Sequence, residues 1–489
     1  MGIRIFLGNA PWGKPGYYGV RAGSRWPHFE ALTNRYMPFP FQLAYTAAVL
    51  ERDGHDVLLV DGIAEGMTED LFHEKAAGHN PDLVILEVST PSFNADIRMA
   101  GKLRSMLPPA VRLAFAGPHA PMASPDFLRR HPGVDYVLVG EYELTAAALA
   151  RALENSGEMA GIQGLVYRNT LGAIVSTGKA PLIEDLDSLP WPARHFLPMK
   201  RYFDNPGDIP EPAVQMWASR GCAFSCTYCI WPQIMDGNRY RTRDIGDVLD
   251  EIRHVMDHYG ARSIYFDDDT FNIGRERMLR FCHEKVERGL DVPWAIMARA
   301  DLMDEEILQA MAASNLQAVK YGIESADPDL LKNVSKGLDL EKAIRIVEMT
   351  KKFGIKVHLT FMFGIPGETR DSIRRTVRLA RDLAPDSVQF SLLTPLPGTR
   401  IYEELMARGH LLVTDWSRYD GYSTAVIRTE SLTAEDLETE LARAWRSWFR
   451  HRALRGLTWR DVPRILTQIP NYLRHPRATI NQFRSLFHV

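Results

Sequence analysis

Three of the four cysteines in this 489-residue chain fall within eight positions, in Arg220-Gly-Cys-Ala-Phe-Ser-Cys-Thr-Tyr-Cys-Ile-Trp-Pro232. Cys222, Cys226 and Cys229 are spaced C-x3-C-x2-C, close enough for their thiolates to converge on one soft metal centre. Three thiolates on a four-iron cube leave one iron open, and a chelating small molecule can occupy it. Structural zinc takes four ligands, so a zinc reading needs a histidine brought in from elsewhere. Cys282 lies in the helical pattern Met278-Leu-Arg-Phe-Cys-His-Glu-Lys285 and reads as a small buried hydrophobe rather than a fourth ligand.

The elements that must position this loop follow from the hydrophobic pattern. Residues 1–155 alternate short apolar runs (Ile3–Gly8, Val57–Asp61, Leu83–Val88, Arg112–Ala116, Tyr136–Gly140) with helical stretches such as Gln42–Asp53, Ile97–Leu107 and Leu144–Asn155. That alternation predicts an α/β fold with a doubly wound parallel sheet, Rossmann-like, whose ligands sit at the C-terminal strand ends. Residues 156–212 hold a hairpin signal at Gly164–Tyr167 and then a run of prolines that excludes a regular element, and they read as a connector. Residues 213–430 resume the alternation with six strand candidates: 214–218, 263–266, 294–298, 318–322, 356–363 and 387–393. Six strand–helix units in about 200 residues predict a partial (β/α)6 TIM-like barrel, and the cysteines directly follow its first strand. Residues 431–489 read as a small helical, basic C-terminal region. Positions 441–489 carry ten Arg, no Lys and one acid, Asp461, interleaved with Trp445, Trp448, Phe449, Trp459, Phe483 and Phe487.

Bulk composition narrows the function classes. A hydrophobic fraction of 45% and a net charge of −3 are those of a globular protein with a large core, and give no footing for nucleic-acid binding. Four cysteines cannot form a disulfide framework, and clustered thiols suit a reducing cytoplasm. The chain starts directly in a strand pattern without a signal-peptide profile, so the expectation is a cytoplasmic protein.

C-x3-C-x2-C with an aromatic, Tyr228, before its third cysteine resembles the signature of the radical S-adenosylmethionine superfamily. The resemblance implies that the three cysteines hold a 4Fe–4S cluster whose open iron chelates the methionine amino and carboxylate groups. One electron, from an external donor such as a flavodoxin or ferredoxin, then yields a 5′-deoxyadenosyl radical. Other stretches are similar to the same superfamily. Ile264-Tyr-Phe-Asp-Asp-Asp-Thr-Phe271 ends the second barrel strand, and Asp268 in it is implied near the methionine ammonium; a helix N-cap at Asp269 or Thr270 is the alternative. Arg299 ends the third strand, facing the methionine carboxylate or forming a salt bridge within the barrel. Glu324 ends the fourth, near the ribose or amino group. Gly364, in Phe363-Gly-Ile-Pro-Gly-Glu-Thr369, would let backbone approach the adenosine, or serve a strand-to-helix turn with Thr369 as N-cap.

The loops of the first domain resemble the cobalamin-binding domain that precedes the radical domain in one subgroup, the class B radical methyltransferases. Ser89 and Thr90 follow the third strand, Gly117 and His119 the fourth, and Gly140 and Glu141 the fifth, and the resemblance places all six at the cofactor. The D-x-H-x-x-G of cobalamin mutases is absent: Asn9-Ala-Pro-Trp-Gly13 stands there, so cobalamin would have no lower histidine ligand from that motif. A ligand-free docking module is the alternative for this domain. The resemblance implies C-methylation of an unactivated carbon, with oxidative cyclisation of the anaerobic tetrapyrrole type or a non-catalytic iron–sulfur electron carrier as rivals. A small-molecule or lipid substrate is expected. The basic C-terminal region reads as a solvated helical cap, or, more pointedly, as a peripheral membrane contact.

Overall fold

The computed structural model describes residues 2–454 apart from 22–26, 33–34 and 205, so the part of the basic region beyond Leu454 lies outside the described residues. Two parallel sheets organise the chain. The first contains β1 (Arg4–Asn9), β2 (Asp56–Asp61), β3 (Leu83–Glu87), β4 (Arg112–Ala116) and β5 (Tyr136–Leu138), then β6 (Leu165–Arg168) and β7 (Ile174–Ser176). Its spatial order is β2-β1-β3-β4-β5-β6-β7, parallel through β5 and antiparallel over the last two strands. The β6–β7 hairpin, placed in the connector by the sequence reading, therefore extends this sheet: Tyr136 and Leu138 pair with Tyr167 and Leu165. Strand order reverses between β1 and β3, and the crevice at that switch is where such sheets take ligands.

The parallel strands are buried on both faces, as their continuous Val/Ile/Leu runs require. The helix Phe41–Arg52 has ten of its twelve residues buried because it packs on this sheet and also faces the second one. The second sheet runs β8 (Ala213–Met216), β9 (Ser263–Phe266), β10 (Trp294–Ala298), β11 (Leu316–Glu324), β12 (Lys356–Phe363) and β13 (Ser387–Leu392), all parallel and in sequence order. Six strands in this order make the open, partial barrel expected from the sequence. The helix Arg370–Leu383 starts at Thr369, whose hydroxyl accepts from Ser372 N in a capping box. The helix Arg275–Glu287 starts at Gly274 with no side-chain cap, so neither Asp269 nor Thr270 caps it and that alternative is corrected. Cys282 is buried in that helix, as its pattern predicts. Among the described residues no helix is long and apolar enough to cross a membrane.

The C-terminal edges of the two sheets face each other. Glu141, after β5, accepts from both terminal nitrogens of Arg241 at 2.7 Å, and Arg220, after β8, pairs with Glu143 at 2.7 Å. Trp217 stacks on Phe41 with ring centroids 4.2 Å apart. Trp416, beyond the last barrel strand, packs against His119 and Phe93 at the end of the first sheet.

Candidate active site

The cysteine loop is closed at its base. Ser219–Arg220 pairs antiparallel with Arg241–Thr242, and Gly221 makes the turn at φ +77°, where a Cβ would lie 2.4 Å from Arg239 O. Gln233 clamps the loop from within: its amide donates to Cys229 O (2.7 Å) and Thr227 O (3.1 Å), while its carbonyl accepts from Arg400 N (2.8 Å). Thr227 N donates to Val334 O and Asn238 donates to Phe224 O. No sequence pattern announces Gln233, because its partners are backbone carbonyls. Replacing it by alanine frees the carbonyls of Cys226, Thr227 and Cys229 and should lower the iron retained after anaerobic desalting about tenfold while the fold persists, the scale on which losing a group that orients a metal ligand acts.

The three thiols are half-buried and free of disulfides. Burial raises the Cys222 thiol, opposed by the Thr270 hydroxyl 3.4 Å away. Among the described residues no three His, Cys, Asp or Glu side chains are placed to share one metal ion. A multi-iron cube takes each thiolate on a separate iron, so it does not need the three sulfurs to converge on one ion. The donor set of three loop thiols, with Cys282 buried elsewhere, fits a 4Fe–4S cluster with one iron open.

Around this loop the structure gathers most of the barrel residues named from sequence, and it shows what each touches. Glu324 accepts from Lys336 Nζ at 3.0 Å and Tyr228 Oη at 3.3 Å. It sits at φ +67°, at a register shift between β11 and β12, and Gly322 leaves room for it: a Cβ there would lie 2.7 Å from the carboxylate. A non-glycine residue held in that region stores strain that its surroundings must offset, a pattern common at functional sites. Arg299 stacks on Phe224, inside the cysteine motif, at 3.7 Å. Its nitrogens donate to Asp301, Lys336 O and Gly337 O, so the salt bridge within the barrel is present. Asp268 is fully buried and accepts from Ala218 N at 3.1 Å and from the Ser219 hydroxyl, fixing the strand that leads into the loop. Gly364 adopts φ +95°, but a Cβ there would meet Ile427 and Leu437. Its close neighbour is thus the returning C-terminal segment.

Gly364 N is held by the Glu368 carboxylate, which also accepts from Ile365 N. Burial pushes Glu368 up to about 8, with those two hydrogen bonds pulling the other way. The folded chain therefore holds this proton between the unfolded carboxylate's pH range and about pH 8, and stability falls as pH rises through that window. Glu368→Gln keeps an acceptor and cannot ionise. Its unfolding free energy should lose this slope, about 1.4 kcal/mol per pH unit at most, in urea titrations between pH 5 and pH 8.

At the first sheet, the loops after β1 and β3 meet over the switch crevice. Ser89 and Thr90 are buried; Thr90 bonds His119 Nδ1 at 3.1 Å. His119 lies between Phe93 and Trp416, and burial takes its pKa down to about 3, so the ring is neutral. Its Nε2 and Glu87 Oε1 are buried without a hydrogen-bond partner among the described residues, and buried groups of this kind call for a ligand or water. Gly117 stands at φ +109°, where a Cβ would lie 2.6 Å from Val88 O. These residues fit a corrin with its many amides, and the segment Asn9–Gly13 directly after β1 carries no histidine. Gly140, at φ +92°, leaves room for Lys179. Glu141 has both oxygens engaged, by Arg241 and by Ile183 N, in the joint between the sheets. Sequence reasoning missed Arg21. This buried guanidinium pairs with Asp96 at 2.6 Å, donates to Asn9 and Ser92, and lies 5.8 Å from the Trp12 ring.

The sequence matches the B12 binding domain over residues 32–150 and the Radical SAM superfamily over residues 218–380. It is 32% identical over 410 residues to an uncharacterised methyltransferase of Pyrococcus horikoshii, covering 84% of this chain and 87% of that one. It is 28% identical over 455 residues to the anaerobic magnesium-protoporphyrin IX monomethyl ester cyclase of Rubrivivax gelatinosus, covering 90% and 77%. The fold superposes with a TM-score of 0.67 on the radical S-adenosylmethionine methyltransferase TsrM of Kitasatospora setae, solved with cobalamin and a 4Fe–4S cluster, at 19% identity and covering 91% of each chain. A cobalamin domain and a radical barrel joined at their strand ends define the class, and the chain belongs to the cobalamin-binding radical S-adenosylmethionine enzyme family. Its cofactors are those of that family: a 4Fe–4S cluster, S-adenosylmethionine and cobalamin.

Proposed function

We infer that this enzyme methylates an unactivated carbon of a small-molecule or lipid substrate. The observation that carries this reading is the meeting of the two strand ends: Arg220, two residues before Cys222, is ion-paired to Glu143 of the cobalamin domain. When bound, the cluster with S-adenosylmethionine supplies a carbon radical that removes hydrogen, and cobalamin supplies the methyl group.

The chain's own residues bind, orient and exclude water. Cys222, Cys226 and Cys229 hold the cluster, and Gln233 with the closing ribbon fixes their loop. Glu324, poised with Lys336 and Tyr228, lines the mouth where an ammonium and a ribose can be received, and Asp268, buried just beyond β9, steadies the strand that leads into the cysteine loop. Arg299, with its planar face on Phe224, holds the outer side of the loop. Ser89, Thr90 and His119 would hold cobalamin amides, His119 as a neutral ring. Beside Trp217, Ser219, Arg220, Asp236, Asp267 and Asp269, between the sheets, lies a hollow of only about 20 Å³, room for a single water. An external flavodoxin or ferredoxin would deliver the electron, and a reducing cytoplasm suits such a partner.

The Rubrivivax relative favours oxidative cyclisation as the second reading, and product stoichiometry separates the two. Methyl transfer would use two molecules of S-adenosylmethionine, one as the radical source and one as the methyl donor. The reconstituted enzyme, turning over in an extract of its own cells with trideuteromethyl-labelled cofactor, should form 5′-deoxyadenosine and S-adenosylhomocysteine in about equal amounts, with label in a product. Deoxyadenosine with no homocysteine derivative and no labelled product would establish the cyclase reading instead.

A further inference from the structure

The helices Arg370–Leu383 and Ala434–Leu454 lie against each other along the β13 edge of the barrel. Arg374, Arg378 and Arg381 recur at i, i+4 and i+7 on the first, and Arg443, Arg446 and Arg450 at i, i+3 and i+7 on the second. Both spacings keep one helical face. These six side chains line two adjoining hollows of about 460 and 440 Å³ that share Arg381, Arg443 and Ser447, and so form one groove.

Few carboxylates answer these charges. Glu440 lines the groove and is shared between Arg443 and Arg370, and Arg374 pairs with Asp371. Arg378, Arg381, Arg446 and Arg450 have no ion-pair partner among the described residues. Guanidiniums that line one groove repel one another, and an anion in the groove would relieve that repulsion. The floor is apolar, with Ile373, Val377 and Ala444, and beside it Phe449 is 43% exposed and stacked on Trp445. The sequence beyond Leu454 keeps the same character, with six more arginines and one acid.

The position of the groove selects among anionic partners. Arg381 sits in the last turn of its helix, and Arg452 on the other helix donates to Asp386 O, directly before β13 begins. That end of the groove therefore lies by the N-terminal ends of the barrel strands. The cysteine loop follows the C-terminal end of β8, so an electron donor seated in the groove would have the barrel between itself and the cluster. Arginines beside exposed aromatics suit a lipid interface, where the ring enters the boundary and the guanidiniums meet phosphates.

We propose that the groove between these two helices docks the enzyme on anionic phospholipid headgroups at a membrane surface. The proposal is independent of whether the reaction is methyl transfer or cyclisation. Holoenzyme loaded with cluster and cobalamin is floated with phosphatidylcholine vesicles with and without phosphatidylglycerol. Binding is expected only with the anionic lipid, weakening as salt rises. Arg378→Gln with Arg446→Gln should weaken it about thirtyfold, at about 1 kcal/mol per arginine near the surface, with deoxyadenosine release and thermal unfolding unchanged. Absence of flotation at low salt overturns the proposal. So does flotation abolished by millimolar inorganic phosphate, which would identify a soluble phosphate as ligand, or flotation that the double variant retains. Groove-dependent binding of an acidic flavodoxin in place of vesicles would overturn it as well.

Discussion

Replacing Cys226 by alanine should leave a folded chain that binds no 4Fe–4S cluster after anaerobic reconstitution, with iron at background and the broad brown absorbance gone. The same holds for Cys222 and Cys229, since each thiolate would serve its own iron and the fourth cysteine, Cys282, is buried inside a separate helix. Cys282→Ala provides the contrast. That side chain is 2% exposed, inside the helix Arg275–Glu287, and its loss should lower stability by about 1 kcal/mol, the scale of a small buried group, with iron content unchanged. Iron loss in the Cys282 variant equal to that in the loop variants would contradict the three-ligand assignment.

Glu141→Ala should have the second largest effect, and on a different quantity. Its carboxylate answers both Arg241 at 2.7 Å and Arg220 at 3.6 Å, all three essentially without solvent exposure. Removing one partner of a buried pair leaves an uncompensated charge, at a cost of about 3–5 kcal/mol. Urea unfolding should show that loss. Glu141→Met combined with Arg241→Met should recover much of it, because replacing a whole buried pair by apolar groups is often near neutral. The joint also sets the two cofactor sites against each other. A Glu141→Ala enzyme that still folds should cleave S-adenosylmethionine at close to the normal rate yet form less methylated product per deoxyadenosine. Parallel loss of both activities would mean that the joint acts on stability alone.

The two sites differ in how much of them the sequence discloses. The cysteine motif is local: spacing within eight residues is enough to name the ligands. Six strand–helix units likewise disclose the barrel, because their apolar runs alternate with helical periodicity. The hairpin at Leu165–Ser176 was visible as a hairpin, but its joining of the first sheet was not, since edge pairing with β5 leaves no mark on a short apolar run. Glu141 stands out in the sequence only by its place after a strand. Its role depends on Arg241, a hundred residues away, and no local pattern encodes that pairing. Gly364 has the conformation its motif suggests, yet the atoms that need its missing side chain belong to Ile427. Arg21 and Gln233 carry no signal at all, because their partners are backbone carbonyls and polar groups on other elements of the fold.

These contrasts assign the residues by what they touch. The barrel mouth holds strained or fully buried polar groups, Glu324 and Asp268, next to the cysteine loop. The first sheet holds a neutral histidine with one ring nitrogen unanswered, and a buried Arg21–Asp96 pair near the crevice where its strand order reverses. Both arrangements face the same joint, which is what a reaction using both cofactors requires.

The most direct test of this account is 5′-deoxyadenosine release by the wild-type chain, reconstituted anaerobically with iron, sulfide and cobalamin and supplied with S-adenosylmethionine and dithionite. The account predicts release that depends on Cys222, Cys226 and Cys229 and is indifferent to Cys282. A chain loaded with both cluster and cobalamin that releases none would contradict it.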